Sequence, residues 1–222
     1  MSKLERLEAI FFPNKCPFCD DIIKYDEIMC KNCERKVEIS LHRRREVIDC
    51  GGRLQIFSPF LYKDPIKSAI YKLKFREKRN YGRNLGAIMA MTCRRGFFKD
   101  KIDYITSVPL HKKRLNERGY NQSKLLAKSV SKEINVPYAE FLIKVKNNKI
   151  QHEIPFVMRK ENVRGAYKAK RVENLKDKTI LICDDVVTTG STMAECALTL
   201  LEAGAGKVLG LSLAIVPNGN DD

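Results

Sequence analysis

Thr179-Ile-Leu-Ile-Cys-Asp-Asp-Val-Val-Thr-Thr-Gly-Ser-Thr192 decides how this chain is read. The apolar run Ile180–Cys183 has the composition of a strand buried on both faces of a parallel sheet. It leads into Asp184 and Asp185, then into a hydroxyl-rich turn made of Thr188, Thr189, Gly190, Ser191 and Thr192. A helical pattern follows, with Ala194, Ala197, Leu198 and Leu201 expected on one side and Gly204 and Gly206 as the stop. Ligands of open α/β sheets bind beyond the carboxyl ends of the strands, and a helix start offers free N–H groups to a phosphate. Gly190 would admit close approach of the main chain, and the hydroxyls would complete the cradle. Carboxylates repel a phosphate, so Asp184 and Asp185 are expected to take vicinal sugar hydroxyls, with a divalent cation able to join them. The pattern therefore predicts a sugar-phosphate site. Neither a Gly-x-x-x-x-Gly-Lys loop nor a Gly-x-Gly-x-x-Gly turn after a strand is present, which excludes the two common nucleotide-binding loops.

Outward from that stretch, strands alternate with helices. Strands are expected at Leu54–Tyr62 (or a hairpin there), Ile102–Val108, Tyr138–Val145 and Val208–Val216. Helices are expected at Pro65–Phe75, Asn84–Cys93 and Asn121–Asn135, the last with Leu126, Val130 and Ile134 on one face. Such alternation predicts an α/β domain with a mostly parallel sheet flanked by helices. Residues 146–171 are polar and lack periodicity, and read as a long loop able to close over a ligand.

The 222 residues carry a formal charge of +15. Residues 1–52 hold ten basic and ten acidic side chains, so the whole excess lies in 53–222. It gathers at Lys72, Lys74, Arg76, Lys78 and Arg79, at Lys112–Arg118, and between Arg159 and Arg171. An excess of this kind suits a polyanionic partner, either nucleic acid or a diphosphate. No run approaches the ~20 apolar residues of a membrane span, and Leu7–Pro13 is too short for a secretory signal, so a cytoplasmic protein without membrane insertion is expected.

Cys16-Pro-Phe-Cys19 and Cys30-Lys-Asn-Cys33 are two knuckles at the spacing that presents four thiolates to a structural Zn²⁺. Residues 1–52 are expected to form this zinc module and 53–222 the α/β domain. Cys50 would be half of a further knuckle, but the partner position holds Val47; it remains an alternative fourth ligand. Cys93, Cys183 and Cys196 lie in apolar surroundings and read as buried thiols. Between the first core strand and its helix stands Pro109–Gln122, where four basic residues and Gly119 would neutralise a diphosphate.

The acid pair and its turn resemble the phosphoribosyl diphosphate (PRPP) loop of type I phosphoribosyltransferases. With the cysteine knuckles, Arg118-Gly-Tyr-Asn-Gln122 and Gln151…Arg159…Asn162-Val-Arg-Gly165, nearly the whole chain resembles the ComF family of competence proteins. Val47 and His152 depart from that pattern. The resemblance implies a type I phosphoribosyltransferase-like sheet preceded by a small four-cysteine zinc module. It implies PRPP, with Mg²⁺, at Asp184, Asp185, Thr188, Thr189, Gly190, Ser191 and Thr192. The diphosphate would meet His111, Arg118, Gly119, Tyr120, Asn121 and Gln122, and a lid would carry Gln151, Arg159 and Asn162. It further implies handling of single-stranded DNA in natural transformation, alongside a helicase or a DNA-processing protein. An active phosphoribosyltransferase using an unidentified base or amine acceptor is the alternative. A sensor of nucleotide supply is a third reading.

Overall fold

The computed structural model describes residues 13–49, 52–75, 79–97, 99–146, 163–170 and 175–217. The expected lid residues Gln151, Arg159 and Asn162 lie outside them, as do His152, Cys50, Arg76 and Lys78.

Inside the sheet runs β7, Thr179–Val187, paired in parallel with β8, Lys207–Ile215, on one side and with β4, Tyr104–Ser107, on the other. The order is β1–β2–β8–β7–β4, where β1 is Arg44–Asp49 and β2 is Gly52–Phe57; the two-residue β3, Phe60–Leu61, continues alongside β8. Among the described residues, all pairings in this sheet are parallel except the β1–β2 hairpin. Leu54–Tyr62, expected as a strand or a hairpin, is extended but not a hairpin: β2 and β3 both lie along β8, and the hairpin partner of β2 is the preceding segment. β8 offers both strands one continuous edge, so β3 runs on along it instead of folding back on β2.

Alternation along β7 divides the interior. Leu181 and Cys183 face a core shared with α2 (Ile66–Phe75), α3 (Arg79–Gly96) and α5 (Gln122–Ile134), whereas Ile180 and Ile182 face α6 (Ser191–Glu202). Cys16, Phe18, Ile23, Met29 and Val37 of the cysteine segment join the first of these cores. The short α1, Lys31–Lys36, belongs to that segment. Helices α3 and α5 pack closely; a Cβ on Gly86 would collide with Cβ of Ser129. Cys93, Cys183 and Cys196 are buried, and burial raises all three thiol pKa values.

Several elements differ from expectation. β7 does not stop at the acids; Asp184 pairs with Ser212, and Val186 and Val187 pair with Ala214 and Ile215, so β-branched residues extend the strand. Residues 112–118, expected to be loop, form α4 (Lys112–Arg118), which buries no residue and so leaves no apolar period to find. Good helix formers sustain it, His111 caps its start, and Gly119 at φ 76° closes its end. Tyr138–Val145 resolves into an isolated bridge to Ile105 and the three-residue β5, Leu142–Lys144. Within the expected 146–171 loop, Tyr167–Ala169 form β6, antiparallel to β5. On α6 the buried face is Met193, Ala194, Cys196, Ala197 and Leu200, while Leu201 is 41% exposed. Of the expected stripe, Ala194 and Ala197 lie on this buried face, whereas Leu198 is half-buried and Leu201 points away, Met193, Cys196 and Leu200 filling the contact with the sheet instead.

Candidate functional site

Asp184 and Asp185 are buried at the carboxyl end of β7, 7% and 5% exposed. Ser123 Oγ donates to Asp184 Oδ1 at 2.8 Å, and the Asp185 N–H donates to the same oxygen at 2.9 Å. Lys74, near the end of α2, places Nζ 2.5 Å from Asp185 Oδ2. Burial, reinforced by the neighbouring Asp185 charge, pushes the Asp184 carboxyl up to about 8. Burial works the same way on Asp185, but the Lys74 ammonium outweighs it and holds that carboxyl below the usual range. Lys74 in turn is raised, its burial overcome by Asp185. The site therefore holds one firmly ionised and one readily protonated carboxyl beside a single ammonium.

The Arg118–Gln122 string feeds this pair. Gln122, the first residue of α5 and 5% exposed, hydrogen-bonds Asp185 and accepts from Arg118 Nη1 at 2.6 Å. Asn121 caps α5: its Oδ1 accepts from the N–H groups of Ser123 and Lys124, and its Nδ2 donates to Val108 O at 3.0 Å. Tyr120 is buried and donates its hydroxyl to Leu73 O, one residue before Lys74. His111 Nδ1 accepts from Lys113 N as the α4 cap. Within the expected diphosphate loop, then, Tyr120 and Asn121 position helices in this structure, and Arg118 with Gln122 reach toward the acid pair. Burial lowers the Arg118 pKa, so an incoming anion would regain what its desolvation costs.

The turn after β7 is held from behind by the β1–β2 hairpin. Buried Arg45 donates to Thr188 O, and its second amino group donates to Val216 O at 2.6 Å. Gly190, at φ 85°, precedes α6; a Cβ there would collide with Cγ2 of Val47. Only glycine suits both the left-handed backbone and that space. Thr189 Oγ1 accepts from Ser191 N at 3.2 Å and lies 2.8 Å from Ser191 Oγ. Thr192 hydrogen-bonds Tyr167 of β6, whose pKa burial raises. Glu195 accepts from Gly165 N at 2.5 Å, so the described end of the expected lid is tied to α6.

Sequence reasoning missed Ser123 and Arg45, and left open where Lys74 points. Ser123 had a usable signal: with Asn121 as cap, the next residues form the first turn of a helix whose buried face begins at Gln122. Arg45 had none, because its partners lie 143 and 171 residues away in sequence.

At the other end, the ligand atoms of Cys16, Cys19, Cys30 and Cys33 all lie within 4.8 Å of one another, and this is the one cluster of its kind among the described residues. Cys33 N–H donates to Cys30 Sγ at 3.4 Å, which heads the causes lowering that thiol's pKa. A metal ion could be held there. Asp20, between the knuckles, pairs with Lys72 of α2 at 2.7 Å and accepts from Tyr81 of α3. No helix among the described residues is long and apolar enough to cross a membrane.

A mostly parallel sheet with acids and a hydroxyl turn at one strand end, and a cysteine cluster near the N-terminus, defines a type I phosphoribosyltransferase-like α/β protein; residues 121–215 match the phosphoribosyl transferase domain. The chain is 29% identical to the DNA utilization protein YhgH of Escherichia coli, covering 87% of this chain and 86% of that protein. It is 27% identical to competence protein F of Haemophilus influenzae, covering 89% and 95%. It is also 27% identical to competence protein ComFC of Bacillus subtilis, covering 91% and 76%. Proteins named for competence and for DNA utilization are thus among its homologues.

Proposed function

We propose that the protein binds PRPP or a related ribose phosphate and acts in the handling of single-stranded DNA during natural transformation. The observation that carries the ligand reading is the buried pair Asp184–Asp185, set immediately before a Thr188–Thr192 turn that opens α6. The carboxylates take the ribose diol, with Ser123 and Lys74 holding them in place. Thr188, Thr189, Gly190, Ser191 and Thr192 take the 5′-phosphate at the helix start. Arg118 and the backbone beside Gly119 neutralise the diphosphate. The names of the relatives and the basic excess of 53–222 support the DNA role.

Mg²⁺ fits as a companion of the ligand. Two carboxylates, one already paired with Lys74, are too few donors for a cage, and Mg²⁺ commonly fills its octahedron with water and phosphate oxygens. It would supply charge neutralisation of the diphosphate, with Asp184 as the carboxyl that no ammonium neutralises. Zn²⁺ fits the cysteine cluster: a tetrahedron with Zn–S of about 2.3 Å sets sulfurs about 3.8 Å apart, and Cys19 and Cys30 Sγ are 3.5 Å apart.

Calorimetry of the folded protein with ribose 5-phosphate and with PRPP, both with Mg²⁺, tests the reading. Absence of heat at millimolar ligand refutes it. Release of diphosphate from PRPP with single-stranded DNA or nucleobases, lost in Asp185→Asn, would instead favour the phosphoribosyltransferase. Binding without turnover favours the DNA-handling role or the sensor of nucleotide supply.

A further inference from the structure

A cavity of about 560 Å³ opens on the flank of the diphosphate loop, a size typical of single-ligand sites. It touches Gly119, Tyr120 and Asn121 of that loop, yet none of Asp184–Thr192 lines it. Its floor is apolar: Pro109, Leu110, Leu125 and Leu142 contribute, and Leu115 and Ile143 stand 39% and 41% exposed along it. Five lysines also line it, Lys112, Lys124, Lys128, Lys144 and Lys170, against the single carboxylate Glu140, a net charge of +4. Glu140 is engaged by two of them, Lys124 and Lys170. Lys128 and Lys144 instead lie over the rings of Tyr138 and Tyr167, 5.9 and 5.4 Å from the centroids.

We propose that this cavity binds a nucleotide unit of a single-stranded nucleic acid, with the base on the Leu115–Ile143 floor and the flanking phosphates among Lys112, Lys128 and Lys144. A purely anionic ligand would leave the apolar floor wet, and an apolar peptide would bury uncompensated ammonium groups. A base with phosphates satisfies both halves, and only an unpaired strand presents its bases to such a floor. Burial lowers the Lys144 pKa, with Arg114 adding to it, so this cation gains by meeting an anion. The assignment rests on the DNA-handling reading for its ligand, but not on the sugar-phosphate site.

Fluorescence anisotropy of the full chain with labelled oligothymidylate between 50 and 200 mM salt tests it. The double variant K128Q/K144Q should weaken binding and flatten the slope of log Kd against log salt by about 1.4, at ~0.7 per single-strand phosphate contact. I143S, which removes no charge, should weaken binding about 10-fold at unchanged slope, through the loss of apolar surface buried beneath the base. The control K31Q/K36Q in the cysteine segment should leave both unchanged. A slope unaltered in K128Q/K144Q overturns the cavity while leaving the DNA role intact. Wild-type protein that binds no oligonucleotide overturns both. Free dTMP bound in a Lys128- and Lys144-dependent way, with no oligonucleotide binding, overturns the strand as the source of the nucleotide.

Discussion

Replacing Lys74 by Met keeps the length of the side chain and removes the one ammonium paired with Asp185 at 2.5 Å. At that separation and an effective dielectric of ~20, the gross attraction is about 7 kcal/mol, most of it offset by desolvating both groups. The two side chains are only 20% and 7% exposed, so solvent screens the pair little. Removing one member leaves Asp185 buried and uncompensated against Asp184, which costs about 3–5 kcal/mol at neutral pH. Asp185 has a folded pKa below its unfolded value, so its stabilisation is present above about pH 4 and disappears as pH falls through the folded value. In Lys74→Met that contribution is absent at neutral pH, and the deficit relative to wild type should narrow on acidification, as Asp185 protonates. Neutralising the partner as well, in Lys74→Met/Asp185→Asn, should recover all but about 1–2 kcal/mol. Urea unfolding of wild type, both single variants and the double variant at pH 7.5 and pH 5 measures the cycle. A loss below ~1 kcal/mol for Lys74→Met, or additive effects of the two substitutions, would refute the paired description of the acid site.

Asp184, raised to about 8, is protonated at neutral pH before ligand binds; the stability it contributes is complete below about pH 4 and is lost as pH rises through about 8. Affinity for ribose 5-phosphate should therefore increase between about pH 7 and 9 with release of up to one proton, seen as buffer-dependent heats in calorimetry; a flat profile would contradict it. Gly190→Ala should destabilise by about 1–2 kcal/mol from the left-handed backbone alone, with a further cost from the collision with Val47. Val47→Ala in that background should restore only the second part, as thermal unfolding would report. Elemental analysis should find a metal ion bound to the wild-type protein and lost in Cys30→Ser. That substitution should also lower the unfolding temperature of the whole chain, because Asp20 of the same segment anchors Lys72 and Tyr81.

Strand β7, the acid pair, the hydroxyl turn and the cysteine knuckles were legible because each is a local pattern of residue types at short spacing. An apolar run, two adjacent carboxyls and two C-x-x-C pairs need no knowledge of what lies opposite them. Helix α5 was legible to its caps, since Asn121 and Asn135 bracket an amphipathic period. Helix α4 was not, because a helix that buries nothing carries no period. β5 was legible only as part of the longer expected strand Tyr138–Val145, and β6 was not, because three-residue strands are defined by each other across a long connection.

What residue order determined, then, is the chemistry available: carboxylates, hydroxyls, thiolates and a basic excess at fixed places along the chain. What tertiary structure alone decided is how those groups are charged and aimed. Lys74 meets Asp185 at the end of α2, which Tyr120 fastens through Leu73 O, and the Asp184 carboxyl is pushed up because burial and Asp185 both work against its charge. Arg45 supports the Thr188–Thr192 turn because β1 pairs with β2 at the sheet edge. Each depends on distances between segments far apart in sequence, and the electrostatic energy of a buried group is set by its neighbours in space.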